Sequence, residues 1–258
     1  MTLGVALVTG ANRGVGRELV LGLVARGAAT VYAAARDVRT LGPLVSAHPT
    51  QIVPLRLDLD DRASILEAAG TADGVSLLIN NAATLTVGSA LDSDRDELIA
   101  MVMTNTFGTL DVIRAFTPVL ESNGGGTIVN VMSLQSFSGS DGWDGYSASK
   151  AALQSFTQST RPALRSKGIK LVGAYPGGVD TEMIRDFDTL KSTARAVAEG
   201  ILDGVAADQE DIFPDGVSRF VAEIWRRNPK RVEQLFGDPD VLVPLLREAF
   251  VDGRITLA

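Results

Sequence analysis

The sequence contains no cysteine and only one histidine. Without thiols, a disulfide scaffold, a thiolate nucleophile and a cysteine-ligated metal are all excluded. No group of histidine and carboxylate residues has the spacing of metal ligands, so the sequence predicts no metal site. The lack of cysteine also fits a reducing compartment.

Long basic runs and long apolar runs are missing as well. The 31 acidic residues outnumber the 24 basic ones, which gives a net charge of −7. Such a chain has little electrostatic support for binding nucleic acid or an anionic membrane. No apolar stretch has the length of a membrane span, and the opening MTLGVALVTG lacks the charged segment of a signal peptide. We therefore expect a cytoplasmic protein with no nucleic-acid or membrane partner.

Apolar runs alternate with helical patterns along the chain. Strands are predicted at residues 5–8, 30–35, 52–57, 76–79, 127–131 and 169–174, with a short seventh strand at 212–213. Continuous apolar strands that alternate with helices are typical of a parallel sheet covered on both faces. The pattern predicts an α/β fold: a doubly wound, Rossmann-like parallel sheet of about seven strands.

No linker or repeat divides the 258 residues, so a single domain over 1–258 is predicted. Residues 180–204 are polar and poorly periodic, and 182–210 is interpreted as a loop region near a substrate. Residues 214–258 are predicted to be a helical C-terminal extension, because Val217, Phe220, Val221 and Ile224 follow helical spacing. Pro162 is expected to end or kink the helix predicted over 147–165.

The first strand runs into a glycine-rich turn, Thr9-Gly10-Ala11-Asn12-Arg13-Gly14-Val15-Gly16, that opens a helix. Glycines allow backbone to approach a pyrophosphate, and the helix start favours its negative charge. The alternative is that this glycine turn is purely structural and binds no phosphate. The second strand ends at Ala35, where a carboxylate would repel a ribose 2′-phosphate, and Arg36 follows it. Arg13 and Arg36 therefore favour a 2′-phosphate, unless both are simply solvated surface residues.

Tyr146 and Lys150 are four residues apart at the start of a predicted helix, so both face one way. An ammonium beside a tyrosine favours the phenolate, and the tyrosine pKa is expected to fall. Ser133 follows the fifth strand, at the sheet edge where α/β folds bind ligands. A Tyr–Lys pair at this spacing is, by itself, more often part of the surface.

Taken together, these motifs resemble the short-chain dehydrogenase/reductase family over about residues 3–181. The family's glycine turn, its asparagine motif, its helix asparagine, its serine, its YxxxK pair and its PG motif match in order. They stand here as Thr9 to Gly16, Asn80-Asn81-Ala82-Ala83, Asn105, Ser133, Tyr146 with Lys150, and Pro176-Gly177. One departure is Ala83, where the family has glycine.

The resemblance implies catalytic roles for four residues. Tyr146 would be the general acid in reduction and the base in oxidation, and Lys150 would hold the nicotinamide ribose hydroxyls. Ser133 would bind the substrate oxygen, and Asn105 would anchor a water that relays protons to Lys150.

The cofactor implied is NADP(H), preferred over NAD(H). Asp58 would meet the adenine and Thr181 would reach the carboxamide. The complete set of expected cofactor contacts is Gly10, Asn12, Arg13, Gly14, Val15, Gly16, Arg36, Asp58, Leu59, Asn81, Ala82, Ala83, Tyr146, Lys150, Pro176, Gly177, Val179 and Thr181.

The expected reaction is NADPH-dependent reduction of a ketone or aldehyde to an alcohol, or the reverse oxidation. The alternatives are an NAD-linked alcohol dehydrogenase and a non-catalytic nucleotide-binding regulator of the same fold. Phe137, Trp143, Met183 and Phe187 are predicted to line the site, which favours an uncharged, apolar or aromatic ketone or secondary alcohol as the small-molecule substrate over a small charged keto acid. Because the family pairs long helices across a two-fold axis, a homo-oligomer is expected, either a dimer or a tetramer.

The first prediction concerns the choice of cofactor. Arg13 and Arg36 should make NADPH bind more tightly than NADH, because each charge-assisted contact to a phosphate contributes roughly 1.5–3 kcal/mol. Arg36→Asp should weaken the binding of NADPH and leave the binding of NADH unchanged. Arg165→Asp makes the same charge change at the end of the helix predicted over 147–165, and it should leave the binding of both cofactors unchanged. Fluorescence titration measures the affinity of the unaltered protein and of each variant for both cofactors. Equal affinity of the unaltered protein for both cofactors would contradict the prediction.

Overall fold

The computed structural model of this chain describes residues 4–187, 189–251 and 254–255. The strands are β1 (Val5–Thr9), β2 (Thr30–Ala35), β3 (Ile52–Arg56), β4 (Val75–Asn80), β5 (Gly126–Val131), β6 (Ile169–Ala174), β7 (Val179–Asp180), β8 (Ser192–Thr193), β9 (Asp211–Ile212), β10 (Phe250–Val251) and β11 (Arg254–Ile255). The helices are α1 (Gly14–Ala25), α2 (Gly42–Ala47), α3 (Arg62–Thr71), α4 (Arg95–Val102), α5 (Thr109–Ser122), α6 (Asp144–Arg165), α7 (Ala194–Ala206), α8 (Gly216–Arg227), α9 (Pro229–Phe236) and α10 (Pro239–Ala249).

Seven of the strands form one sheet in the order β3-β2-β1-β4-β5-β6-β9. Every neighbouring pair in it is parallel. The strand order reverses between β1 and β4, and ligands of open α/β sheets bind in the crevice at such a point. The predicted doubly wound parallel sheet is therefore confirmed, and its short seventh strand lies at Asp211–Ile212, one residue before the predicted position.

The side chains of each strand alternate between two apolar layers. In β1, Ala6 and Val8 face a layer closed by α1, α2 and α7, whereas Leu7 faces a layer closed by α3, α5 and the end of α6. Both layers are buried, as expected for a parallel sheet covered on both faces. None of the helices in the described part of the chain combines the length and hydrophobicity needed to cross a bilayer.

One predicted loop contains a regular helix. The interpretation of residues 180–204 as polar and poorly periodic was wrong for its second half, where α7 begins after the N-cap Thr193. Val197, Ile201 and Val205 lie on one buried face that packs against the sheet. Small and charged residues between them weaken this periodicity in the sequence. The irregular part of 182–210 is therefore confined mainly to the residues before α7 and after it.

Pro162 was expected to end or kink its helix, and the first of these alternatives is wrong, because α6 continues to Arg165. The last turn is held in place by its neighbours on both sides. Leu164 is buried against the sheet, and the Arg161 guanidinium donates to the Leu171 carbonyl at 3.1 Å and to Asp211 Oδ1 at 2.6 Å. These contacts offset the backbone hydrogen bond that proline cannot donate.

The helical segment that α4 and α5 form together changes geometry in its middle. A π-helical turn at Met103–Gly108 separates α4 from α5. Such turns insert a residue into a helix and often lie at functional sites. Here the turn carries Asn105, one of the expected catalytic residues.

The C-terminal helices α8, α9 and α10 form a cluster of their own. The predicted stripe is present: Val217, Phe220 and Val221 are buried, and Ile224 packs beside them. Their partners are apolar side chains of α9 and α10, together with Leu134 from the segment after β5. The stripe is thus covered within the chain, above the carboxyl end of the sheet.

Candidate active site

The turn after β1 and the turn after β4 are fastened together by Thr9. The backbone N–H groups of Asn81 and Ala82 both donate to Thr9 Oγ1 at 3.0 Å. In return, the Asn81 side-chain amide donates to the carbonyls of Thr9 at 3.0 Å and Gly10 at 3.2 Å. These bonds fix the floor of the crevice at the point where the strand order reverses.

Glycine is required at three positions of the first turn. A Cβ on Gly16 would lie 2.1 Å from the Gly10 carbonyl oxygen, and one on Gly10 would lie 2.9 Å from Ala82 Cα. Gly10 and Gly14 also have φ values of +64° and +53°, which side chains other than glycine rarely adopt. The turn exposes backbone at the start of α1, an arrangement that suits phosphate groups. The residues present therefore fit a dinucleotide.

A single cleft of about 1720 Å³ runs along the carboxyl ends of the strands. This exceeds the roughly 300–1,000 Å³ of a typical small-molecule pocket, so a dinucleotide and a second molecule have room together. Of the expected cofactor contacts, all border the cleft except Gly16, which packs beneath Gly10. Gly16 is thus a support of the turn and not part of its surface, because its missing side chain faces backbone.

The charged residues at the β2 end differ in their partners. Arg36 is exposed, borders the cleft and, among the residues that the structure describes, pairs with no carboxylate. Asp37 is ion-paired with Arg39 at 2.8 Å, and hydrogen bonding to Arg39 lowers its pKa. Arg13, by contrast, is paired with Glu182 at 2.6 Å across the mouth of the cleft.

Tyr146, Lys150 and Ser133 meet at the other end of the cleft. α6 presents the first two on one face, and the Lys150 ammonium lies 5.6 Å from the centre of the Tyr146 ring. Lys150 Nζ is buried and donates to the Val131 carbonyl at 2.9 Å. The Ser133 side chain lies close enough to the Tyr146 hydroxyl to lower its pKa through hydrogen bonding.

The expected fall in the pKa of Tyr146 does not occur in this site. Burial raises the pKa of Tyr146 to about 12, and the hydrogen bond with Ser133 lowers it only in part. Burial also lowers the pKa of Lys150 to about 8. Desolvation disfavours the charged form of each group and outweighs their mutual effect. At neutral pH the site therefore presents a neutral phenol beside a mainly protonated lysine.

Asn105 lies behind these residues and does not border the cleft. Its side-chain oxygen accepts from the Thr84 N–H at 2.8 Å, and its amide donates to the Thr84 carbonyl at 2.9 Å and to Ser149 Oγ at 3.0 Å. Ser149 in turn donates to the Tyr146 carbonyl at 2.7 Å. Asn105 thus braces the turn of α6 that carries the tyrosine and the loop after β4.

The expected substrate wall is present only in part. Trp143, Met183 and Phe187 border the cleft, and the rings of Trp143 and Phe187 are in contact with centroids 4.8 Å apart. Phe137 was assigned to this wall wrongly. Its ring stacks on Tyr175 with centroids 4.8 Å apart and meets Trp225 at a tilt of 40° with centroids 4.6 Å apart, because the segment after Ser133 turns its side chain into an internal aromatic cluster.

Asp215 is a residue whose role in the site the sequence interpretation missed. One of its carboxylate oxygens accepts from the Gly177 N–H at 2.9 Å and the other accepts from the Ser218 N–H at 2.8 Å. It is buried, caps α8 and joins that helix to the PG motif. The signal was a capping pattern, an aspartate three residues before a serine at the start of an apolar stripe.

The sequence model described as short chain dehydrogenase matches residues 4–191. The chain belongs to the short-chain dehydrogenase family. A 3-alpha-(or 20-beta)-hydroxysteroid dehydrogenase of Mycobacterium tuberculosis is 33% identical to it over 184 residues, which cover 69% of this chain and 70% of the relative.

Solved structures of short-chain dehydrogenases show the same fold. One from Burkholderia cenocepacia, in complex with NADP, has a TM-score of 0.84 and 31% identity, and the match covers 93% of this chain and 100% of that one. Another from Burkholderia phymatum, in complex with NAD, has a TM-score of 0.76 and 23% identity over 89% of this chain and 98% of that one. Proteins of the short-chain dehydrogenase fold bind a nicotinamide cofactor, and the family interconverts carbonyl and alcohol groups. This chain is an oxidoreductase of that family.

The second prediction concerns Asp215. Asp215→Ala leaves two N–H groups, those of Gly177 and Ser218, without their acceptor, and each loss costs about 1–3 kcal/mol when the group is buried. The melting temperature should fall, and the affinity for NADP(H) should fall with it, since the PG motif borders the cleft.

Asp94→Ala is the matched control, because Asp94 is an exposed N-cap on α4 that also accepts two backbone N–H groups, both of them in its own helix. It should lower the melting temperature less and leave cofactor affinity unchanged. Equal effects of the two variants on the cofactor would show that Asp215 is only a helix cap.

Proposed function

We propose that this chain is an NADPH-dependent carbonyl reductase that acts on uncharged, apolar or aromatic ketones and, in reverse, on the corresponding secondary alcohols. The observation that carries the proposal is the meeting of Ser133, Tyr146 and Lys150 at one end of a cleft whose nearby wall is apolar. The nicotinamide, when bound, supplies or accepts the hydride.

The protonation of the site favours reduction. Because burial raises its pKa to about 12, Tyr146 holds its proton at neutral pH. A neutral phenol is the form that donates a proton to a carbonyl oxygen as negative charge develops there. The Ser133 hydroxyl lies beside the same phenol and can donate to the same oxygen. The Lys150 ammonium, 5.6 Å from the ring centre, stabilises the phenolate that forms.

The preference for NADPH is supported by the charges near β2. Arg36 is an exposed guanidinium without an ion pair among the described residues, and the nearby Asp37 is already paired with Arg39. A guanidinium fork suits a phosphate. Arg13 would have to exchange Glu182 for that phosphate, and because exposed ion pairs contribute about 0–1 kcal/mol the exchange costs little. The NADP complex of the 31% identical relative agrees with this assignment.

The preference for an apolar substrate is supported by Trp143, Met183 and Phe187 in the cleft. The hydroxysteroid dehydrogenase relative, by its name, acts on bulky apolar alcohols. An NAD-linked alcohol dehydrogenase is the second candidate, and the NAD complex of a more distant structure keeps it open. A non-catalytic regulator is disfavoured, because serine, tyrosine, lysine and asparagine are all in place.

The third prediction tests this reaction. The protein should reduce neutral aryl and alkyl ketones with NADPH at a higher kcat/KM than matched keto acids. Tyr146→Phe removes the proton donor while keeping the ring, and turnover should fall by about 10²-fold to 10⁴-fold, the usual contribution of general acid catalysis. NADPH affinity should stay the same.

Tyr32→Phe is the matched control, because Tyr32 lies in β2 and does not border the cleft. It should leave both turnover and cofactor affinity unchanged. Near-normal turnover of Tyr146→Phe would overturn the mechanism, and a clear preference for the keto acids would overturn the substrate class.

We also propose that copies of this chain associate through a face formed by α4, the π-helical turn after it and α6. Ile99, Met103, Phe107 and Phe156 are between 37% and 50% exposed. The first three are spaced four residues apart, and Phe107 meets Phe156 edge to face with centroids 6.0 Å apart. Adjoining exposed apolar side chains of this kind mark interaction surfaces.

The fourth prediction is a dimer or tetramer in light scattering. Phe156→Glu should shift the protein toward the monomer, because a charge would be buried without a partner. Leu66→Glu, at an exposed leucine of α3, should not. A monomer over a wide range of concentrations of the unaltered protein would refute the proposal.

A further inference from the structure

Part of the cleft wall comes from the C-terminal helices. Six apolar side chains of α8, α9 and α10 border it, and we call this part the apolar chamber. They are Val217, Val221, Phe236, Leu242, Val243 and Leu246.

The apolar chamber adjoins the catalytic end of the cleft. Leu134, the residue after Ser133, belongs to the same apolar cluster as these helices. Its N–H donates to the Pro176 carbonyl at 3.0 Å, which ties it to the PG motif. A Cβ on Gly177 would lie 3.1 Å from Val217 Cγ1, so α8 sits directly on that motif. A molecule whose carbonyl reaches Ser133 and Tyr146 therefore has the apolar chamber within its reach.

The loop after the PG motif closes the opposite side. Leu190 packs into the cluster of α8, α9 and α10, while Phe187, three residues earlier, contacts Trp143. Apolar side chains therefore line the cleft both beside Trp143 and beside the C-terminal helices. The match to the family's sequence model ends at residue 191, so α8, α9 and α10 lie beyond it.

We infer that the apolar chamber is a substrate subsite that takes the extended hydrocarbon body of a ketone or secondary alcohol. This inference rests on the proposed function and narrows it, since the substrate must be long or multi-ringed and not merely apolar. Leu242 and Val243 are only half buried, so contact with a substrate removes their remaining apolar surface from water.

The experiment compares 2-alkanones from 2-butanone to 2-undecanone on the cofactor-loaded protein. Both the dissociation constant and kcat/KM are measured. Each methylene that enters the apolar chamber should strengthen binding by about threefold to fourfold, the factor for taking one CH₂ out of water. Binding is read by calorimetry on the protein loaded with NADP⁺, which has no hydride to give to a ketone, so this reading does not depend on turnover.

Val243→Trp fills the apolar chamber from its half-buried side. It should weaken the binding of 2-undecanone roughly tenfold or more and change the binding of 2-butanone by less than about twofold. The affinity for NADPH should stay the same. Val241→Trp is the matched control on the same helix, because Val241 is 43% exposed and does not border the cleft. It should leave the whole series unchanged.

The outcomes separate this inference from the proposed function. If all ketones are reduced but neither constant varies with chain length, the subsite is wrong and the reductase stands. If binding follows chain length and Val243→Trp abolishes that dependence while no ketone is reduced, the subsite stands and the reaction is wrong. Equal effects of the two tryptophan variants on 2-undecanone would also overturn the subsite.

Discussion

The close approach of the turn after β1 to the turn after β4 is the constraint on which the site depends. Gly10 and Gly16 allow it by having no side chains, and Thr9 and Asn81 hold it by four hydrogen bonds. Strand order brings the two turns together, since β1 and β4 are neighbours at the point where the order reverses. A side chain at Gly16 would collide with the backbone of Gly10, so the first turn and the start of α1 would have to move apart.

The chemical end of the cleft is set by burial more than by charge. Lys150 is 2% exposed and donates one hydrogen bond to the Val131 carbonyl, so its position is fixed before any substrate arrives. Asn105 and Ser149 fix the adjacent turn of α6 from behind. Such support costs conformational freedom once, during folding, and leaves little reorganisation for the reaction.

The sequence predicted the parts of this fold that depend on local pattern. Apolar runs located the six long strands to within one or two residues, and ordered motifs located Ser133, Tyr146 and Lys150. Features that depend on three-dimensional packing escaped it. The direction of the Phe137 ring follows from the aromatic cluster around Tyr175, and the raised pKa of Tyr146 follows from burial. The helix over α7 was hidden by small residues, whose burial only the neighbouring α1 and sheet reveal.

The two edge strands of the sheet, β3 and β9, differ from its central strands. At one margin β3 carries Pro54, which has no N–H to offer another strand, and Arg56 beside it is paired with Asp61. At the other margin β9 is only two residues long. Exposed strand edges are templates for uncontrolled pairing, and proline, charge and shortness each suppress it. The sheet therefore resists edge-to-edge aggregation, a protection that a parallel sheet needs during slow folding because its strands pair over long stretches of chain.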